Sequence, residues 1–273
     1  MRFFALLIAV LAMTGSARAA QELVEFSAGT ANLKAYLFQP GGAGPFPAIV
    51  ALHDCGGLGG TSGPVARRYR DWAERLAGAG FAVLFPDSFG SRGFGSQCKL
   101  RERQVRVARE RVTDAVAARR WLQAQRFVAP DRVSLIGWSN GAIAALWTVR
   151  RRGNFEENGP DFRSAVALYP ACRRLRDTEW SARVPTLILV GSADDWAPPG
   201  PCEQMVASAR GRSAQAAIVV YAGAHHQFDH PDKPLSQLSG LAFSADGSGK
   251  VHVGTNPAAR ADAIRRVPEW LAR

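Results

Sequence analysis

The pentapeptide Gly137-Trp138-Ser139-Asn140-Gly141 constrains this chain more than any other stretch. It follows the apolar run Val133–Ile136 and precedes the helix-forming segment AIAALW. Two glycines flanking a serine at a strand-to-helix junction mark a strained turn, where neighbouring backbones approach closely. Such a turn lifts the serine hydroxyl clear of the sheet edge at the start of a helix, where the first backbone N–H groups have no intrahelical partner. A serine in that place suits nucleophilic attack, and the N–H of Asn140 can face a developing oxyanion.

The rest of the chain alternates strand-like and helix-like segments, which predicts βαβ units and a mostly parallel sheet. Glu22–Ser27 and Asn32–Gln39 read as an opening antiparallel pair. Pro47–Leu52 and Phe81–Phe85 are fully apolar, as strands covered on both faces are. Arg132–Gly137, Ser164–Leu168, Thr186–Val190 and Ala216–Tyr221 complete the set. Helices are expected over Val65–Ala79, Lys99–Arg126, Gly141–Arg151, Glu203–Arg210 and Ala258–Ala272. The Gly-rich stretch Ser88–Cys98 reads as a loop and the Gly/Pro/Ser-rich stretch Asp229–Asn256 as mostly loop, and both are expected to shape a pocket. No linker divides residues 20–273, so they are expected to form one domain.

A serine nucleophile needs a base and an acid that orients it. Two pairs sit beyond later strands: Asp194-Asp195 after TLILV, and His225-His226 after AAIVVY. Both lie where ligands bind in open α/β sheets, at the carboxyl ends of strands.

With these residues in place, the chain resembles the dienelactone hydrolase family, from about Leu33 to the last helix. The likeness rests on HDCGG (His53–Gly57), FPDSFG, GWSNG, GSADDWAP and YAGAHHQFD. It implies an α/β-hydrolase fold: a mostly parallel central sheet with helices on both faces. In the family the acid opens a D-x-x-x-P run, which selects Asp194, with Pro198 four residues on. The family's histidine precedes an x-Phe pair, which selects His226, with Phe228 the aromatic. The resemblance also implies a second oxyanion donor at the N–H of Cys55 and an acidic group near the nucleophile at Asp54. His53 is expected to fix its loop. The family's namesake carries cysteine as nucleophile; the serine here implies a general esterase acting on small-molecule esters or lactones, without a cofactor. A peptidase, a polyester hydrolase, or a binding module that keeps the fold without the chemistry are the competing readings.

GGLGG lacks the spacing of a dinucleotide loop and the lysine of a P-loop. His225, His226, Asp229 and His230 stand in a loop between Gly223 and Pro231, which does not hold ligands rigidly enough to predict a metal.

Residues 1–19 combine a basic start, a short apolar run and small residues at Ala17 and Ala19. This is the pattern of a secretory signal peptide, too short for a permanent span. A secreted or periplasmic protein with no membrane anchor after cleavage is therefore expected. Loss of Arg2 and Arg18, with no acid, lowers the net charge from +11 to +9. The basic residues concentrate in Lys99–Arg126, opposite the apolar positions Val105, Ala108, Val112, Ala115, Val116 and Leu122. That spacing predicts a solvated arginine face, and no nucleic-acid motif accompanies the charge. The four cysteines of an exported chain invite disulfides. Cys55 and Cys98 follow neighbouring strands at one edge, and Cys172 and Cys202 follow two others, so the expected pairs are 55–98 and 172–202.

Overall fold

A computed structural model describes residues 20–61, 63–151 and 159–273. The predicted signal peptide, 1–19, lies outside the described residues.

The chain opens with an antiparallel ribbon, β1 (Ala20–Ala28) and β2 (Ala31–Gln39), whose register places Leu23 opposite Tyr36. Then come β3 (Phe46–Leu52), α1 (Arg67–Gly78), β4 (Ala82–Pro86), α2 (Glu110–Gln123), β5 (Val128–Trp138) and α3 (Asn140–Thr148). They are followed by β6 (Ala165–Leu168), the single turn α4 (Arg173–Arg176), β7 (Thr186–Gly191), α5 (Gly200–Ser208) and β8 (Ala216–Tyr221). A small antiparallel pair, β9 (Ser236–Leu238) and β10 (Val251–Val253), precedes α6 (Pro257–Leu271). Asn256 caps α6 by accepting from the Ala259 N–H at 3.0 Å, and Pro257 occupies the first helical position.

Among the described residues eight strands form one sheet in the order β1-β2-β4-β3-β5-β6-β7-β8, with the pairs from β4 to β8 all parallel. The central strands are apolar without alternation because helices cover both faces. Tyr69, Trp72, Ala73 and Leu76 of α1 and Ala259, Ala263 and Val267 of α6 pack on one face. Ala115, Ala118 and Leu122 of α2, the apolar side of α3, and Met205 of α5 pack on the other. Only the opening ribbon alternates, as one wet face requires. Because the strands from β4 to β8 run parallel, the loops after β3, β5, β7 and β8 all emerge at one edge.

Two expectations need correction. The helix predicted over Lys99–Arg126 exists only from Glu110. Ahead of it, the buried Gln97 side chain accepts from the Gln104 N–H at 3.0 Å, and Cys98 is tied by a disulfide, so the segment folds as turns. The arginines of α2 do not all face solvent. Arg111 is fully buried, and Arg119 is buried and bonded to Asp161 at 2.7 Å, because both stand three or four residues from Ala108, Ala115 or Val116, on the side of α2 that faces the sheet. The stretch Asp229–Asn256 is mostly loop, as expected, with the short pair β9 and β10 inside it.

Glycine decides how closely the elements meet at the edge that carries Ser139. A Cβ on Gly141 would stand 2.0 Å from the Leu52 carbonyl oxygen, and one on Gly137 would stand 2.3 Å from the Gly141 oxygen. Both neighbours are backbone and cannot swing aside. Gly141→Ala is therefore expected to lower the unfolding free energy by about 3 kcal/mol. Urea denaturation checks this; an unchanged midpoint would show that α3 can retreat from β3 freely.

Candidate active site

Ser139 sits at the tip of the turn between β5 and α3 with φ 50° and ψ −111°. A positive φ on a non-glycine residue is strained and persists only where the surroundings impose it. Here the Ser139 N–H donates to the Leu168 carbonyl at 2.9 Å, and the Ile143 N–H donates to the Ser139 carbonyl at 2.9 Å. The turn is thus clamped between β6 and the first turn of α3.

His226 Nε2 lies 2.9 Å from Ser139 Oγ. His226 Nδ1 lies 2.7 Å from Asp194 Oδ2. Asp194 Oδ1 accepts from the N–H groups of Trp196 at 2.9 Å and Ala197 at 2.8 Å, so both carboxylate oxygens are fixed. His226 and Asp194 are buried, whereas Ser139 keeps part of its surface exposed. For Nε2 to accept the serine proton, the ring must carry its own proton on Nδ1, facing Asp194.

The adjacent acid and histidine are engaged elsewhere. Asp195 Oδ2 bonds His252 Nδ1 at 2.7 Å, and Asp195 Oδ1 accepts from the His252 N–H at 2.8 Å, which ties β10 to the acid loop. The His225 ring lies 5.6 Å from that of His252. The structure therefore brings Asp194 and His226, not Asp195 and His225, to the serine.

The His226 imidazole packs against two aromatic rings, Tyr169 at 4.4 Å and Trp196 at 4.7 Å between centroids. Tyr169 is itself pinned: its hydroxyl donates to Asp229 Oδ1 at 2.7 Å. Asp229 Oδ2 accepts from the indole N–H groups of Trp72 and Trp138, both at 2.8 Å. This fully buried carboxylate is satisfied by three neutral donors. Burial together with the negative charge and hydrogen bond of Asp229 pushes the Tyr169 hydroxyl well above its usual pKa, so it stays a donor. Sequence reasoning missed this network. The run FD after the histidine was its only trace, and nothing local showed that Asp229 would meet two indoles.

The loop after β3 faces the same turn. The Cys55 carbonyl accepts from the Gln97 N–H at 2.7 Å, and Asp54 Oδ1 accepts from the Gly56 N–H at 2.7 Å. Burial alone would raise the Asp54 pKa, but Arg68, 2.6 Å from its other oxygen, outweighs that and brings it below the ordinary value. Burial, and then the charge of Arg111, hold His53 well below its ordinary pKa, so it is neutral; its Nδ1 lies 2.8 Å from the Asp54 carbonyl. Cys55 is bonded to Cys98 and Cys172 to Cys202. The first bond carries the segment after Gly93 directly onto the loop beside Ser139. The second lies under a cavity of about 200 Å³ lined by Trp196, Ala197, Pro198, Cys172 and Phe243. Phe243 and its neighbours come from the Asp229–Asn256 stretch.

Among the described residues no cluster of histidine, cysteine and acids is arranged to hold a metal ion, and no helix is long and apolar enough to cross a membrane.

Comparison with known proteins first defines the fold. A candidate dienelactone hydrolase from Klebsiella pneumoniae subsp. pneumoniae MGH 78578 superposes with a TM-score of 0.67 at 21% identity, over 93% of this chain and 99% of that one. Thermogutta terrifontis esterase 2, phosphoramylated by tabun, superposes with a TM-score of 0.62 at 20% identity, over 94% of this chain and 95% of that one. Two uncharacterised proteins of Mycobacterium tuberculosis, from strains CDC 1551 and H37Rv, are 29% identical over 187 residues, covering 62% of this chain. The chain spans 59% of the length of each. The architecture is the α/β-hydrolase fold. The family model of dienelactone hydrolases matches residues 33–273, and the chain belongs to that family.

The geometry separates the two acids and the two histidines by experiment. Asp194→Asn and His226→Gln are each expected to lower kcat by about 10³-fold or more on any ester the protein hydrolyses. Asp195→Asn is expected to leave kcat within about tenfold, since its carboxylate holds β10 rather than the imidazole. Equal losses for Asp194→Asn and Asp195→Asn in folded protein would contradict the assignment.

Proposed function

We propose that this chain is an exported serine esterase that hydrolyses small carboxylic esters or lactones through an acyl-enzyme on Ser139. The observation that carries this reading is the chain of contacts from Ser139 Oγ to His226 to Asp194, at 2.9 and 2.7 Å, with the serine at the tip of a strained turn. A binding module has no need of a serine, a base and an orienting acid in hydrogen-bond contact.

In this scheme His226 Nε2 takes the proton of Ser139 as Oγ bonds to the ester carbonyl carbon. Asp194 stabilises the resulting imidazolium and keeps it oriented. The N–H groups of Asn140 and Cys55 hold the oxyanion. The C–O bond to the leaving group then breaks, and the imidazolium returns its proton to the departing alkoxide. Water, deprotonated by the same nitrogen, attacks the acyl carbon, and serine and carboxylic acid are released. No cofactor enters. The cavity beside Trp196 suits a short acyl or alkyl group. Two disulfides and a predicted signal peptide support action outside the cytoplasm.

An unactivated serine barely reacts with organophosphonates, whereas one paired with a base and facing oxyanion donors reacts fast. The phosphoramylated Thermogutta esterase is a relative in fold that bears such a modification. A fluorophosphonate probe is expected to label this protein once, at Ser139. Ser139→Ala is expected to abolish both labelling and hydrolysis of short aryl esters while leaving the melting temperature nearly unchanged. A folded protein that takes up no label and still binds a small ligand would contradict the esterase and favour the binding module.

A further inference from the structure

Arg111, in the first turn of α2, has no exposed surface and no role in the scheme above. Its Nη1 carries two hydrogens, and both are used. One goes to the His53 carbonyl at 2.7 Å, the other to Asn140 Oδ1 at 2.7 Å. Those acceptors belong to the two segments that meet at Ser139. His53 opens the loop that carries Cys55, and Asn140 is the first residue of α3. Nε and Nη2 have no hydrogen-bond partner among the described residues.

Among the described residues no carboxylate is hydrogen-bonded to Arg111, although the charges of Asp114 and Asp54 favour its protonated form. Asp114, one turn along α2, is held by both Nη atoms of Arg92, at 2.9 and 2.7 Å. Asp54 is held by Arg68 at 2.6 Å. The ring of Phe89 lies 5.2 Å from the guanidinium carbon. Burial lowers the Arg111 pKa to about 10, which leaves the group protonated at neutral pH. A buried cation is unfavourable unless its surroundings answer it. A pure stitch between a loop and a helix needs only a donor, and an uncharged amide would supply one. The two acceptors here belong to the segments that carry the oxyanion donors, and a fixed charge behind such donors favours negative charge developing in front of them.

We propose that Arg111 is a positioning residue for the oxyanion site, locking the His53–Gly57 loop to the start of α3 and placing its charge behind the two backbone donors. This rests on the reading of Ser139 as nucleophile and of the Asn140 and Cys55 N–H groups as oxyanion donors. The lock acts on the tetrahedral state, where the carbonyl oxygen is an anion, and leaves ground-state binding of a neutral ester alone.

The test compares wild type, Arg111→Met and Arg111→Lys on a short p-nitrophenyl ester, with active sites counted by fluorophosphonate titration. Arg111→Met keeps the apolar stem and removes both the lock and the charge. Its kcat per active site is expected to fall about 10²-fold, with KM within about threefold of wild type. The rate constant for phosphonylation is expected to fall in parallel. Arg111→Lys keeps the charge and a donor, and is expected to recover about tenfold of the lost kcat. A merely structural arginine would lower the melting temperature and the active fraction and leave kcat per active site intact; that result overturns the proposal, as does a loss confined to KM. Should Arg111→Met not fold, Arg111→Lys decides: kcat reduced at unchanged KM supports the proposal, and wild-type kcat overturns it. A wild type that neither labels nor turns over would instead sink the esterase itself, so the two failures are distinguishable.

Discussion

The site depends on one close approach of two backbones. At Gly141 the first turn of α3 comes so near the end of β3 that a single added carbon would lie 2.0 Å from the Leu52 oxygen. Gly137 permits the matching approach of β5 to the same turn. These contacts tip Ser139 out of the sheet and set the start of α3 beside the loop His53–Gly57. The strain at Ser139 is then maintained by hydrogen bonds to β6 and within α3, so the hydroxyl position is a property of the packed sheet, not of a mobile loop.

His226 and Asp194 come from loops after β8 and β7, which meet as closely as the elbow does: a Cβ on Gly191 would stand 2.0 Å from the Ala224 oxygen, and the Ala193 N–H donates to that oxygen at 3.1 Å. Side chains add to this hold. Trp196 and Tyr169 flank the imidazole, and the Trp196 and Ala197 N–H groups fix the acid. Tyr169 is anchored to Asp229, which is anchored to the indoles of Trp72 in α1 and Trp138 in β5. The residue before Ser139 and the residue that flanks His226 thus share one buried carboxylate. Ser139 and His226 are linked through it as well as through their own hydrogen bond.

Much of this was legible because the signals are local. Runs such as AIVAL and TLILV announce strands covered on both faces, and the GWSNG turn announces its own geometry. The placement of Asp194 and His226 after successive strands followed from the order of those runs; choosing them over their neighbours needed the family pattern of Pro198 and Phe228. What escaped were features set by tertiary partners. Residues 99–109 carry helical spacing, yet Gln97 and the Cys98 tether hold them in turns. Arg119 stands three and four residues from Val116 and Ala115, and Arg111 three from Ala108, so both lie on the apolar side of α2; a single solvated face for every arginine of the segment overlooks that register, and both are buried. Strands β9 and β10 are too short to show alternation, and Asp195 fixes one of them from a distance in sequence.

The central claim is that two backbone donors and one buried acid–base pair converge on Ser139 to stabilise a tetrahedral anion. A crystal structure of the protein after reaction with a fluorophosphonate tests it most directly, because the phosphoryl oxygen occupies the oxyanion position. The account predicts phosphorus bonded to Ser139 Oγ, with that oxygen about 2.7–3.1 Å from the backbone nitrogens of both Asn140 and Cys55. A phosphoryl oxygen turned toward solvent, touching neither nitrogen, would contradict it.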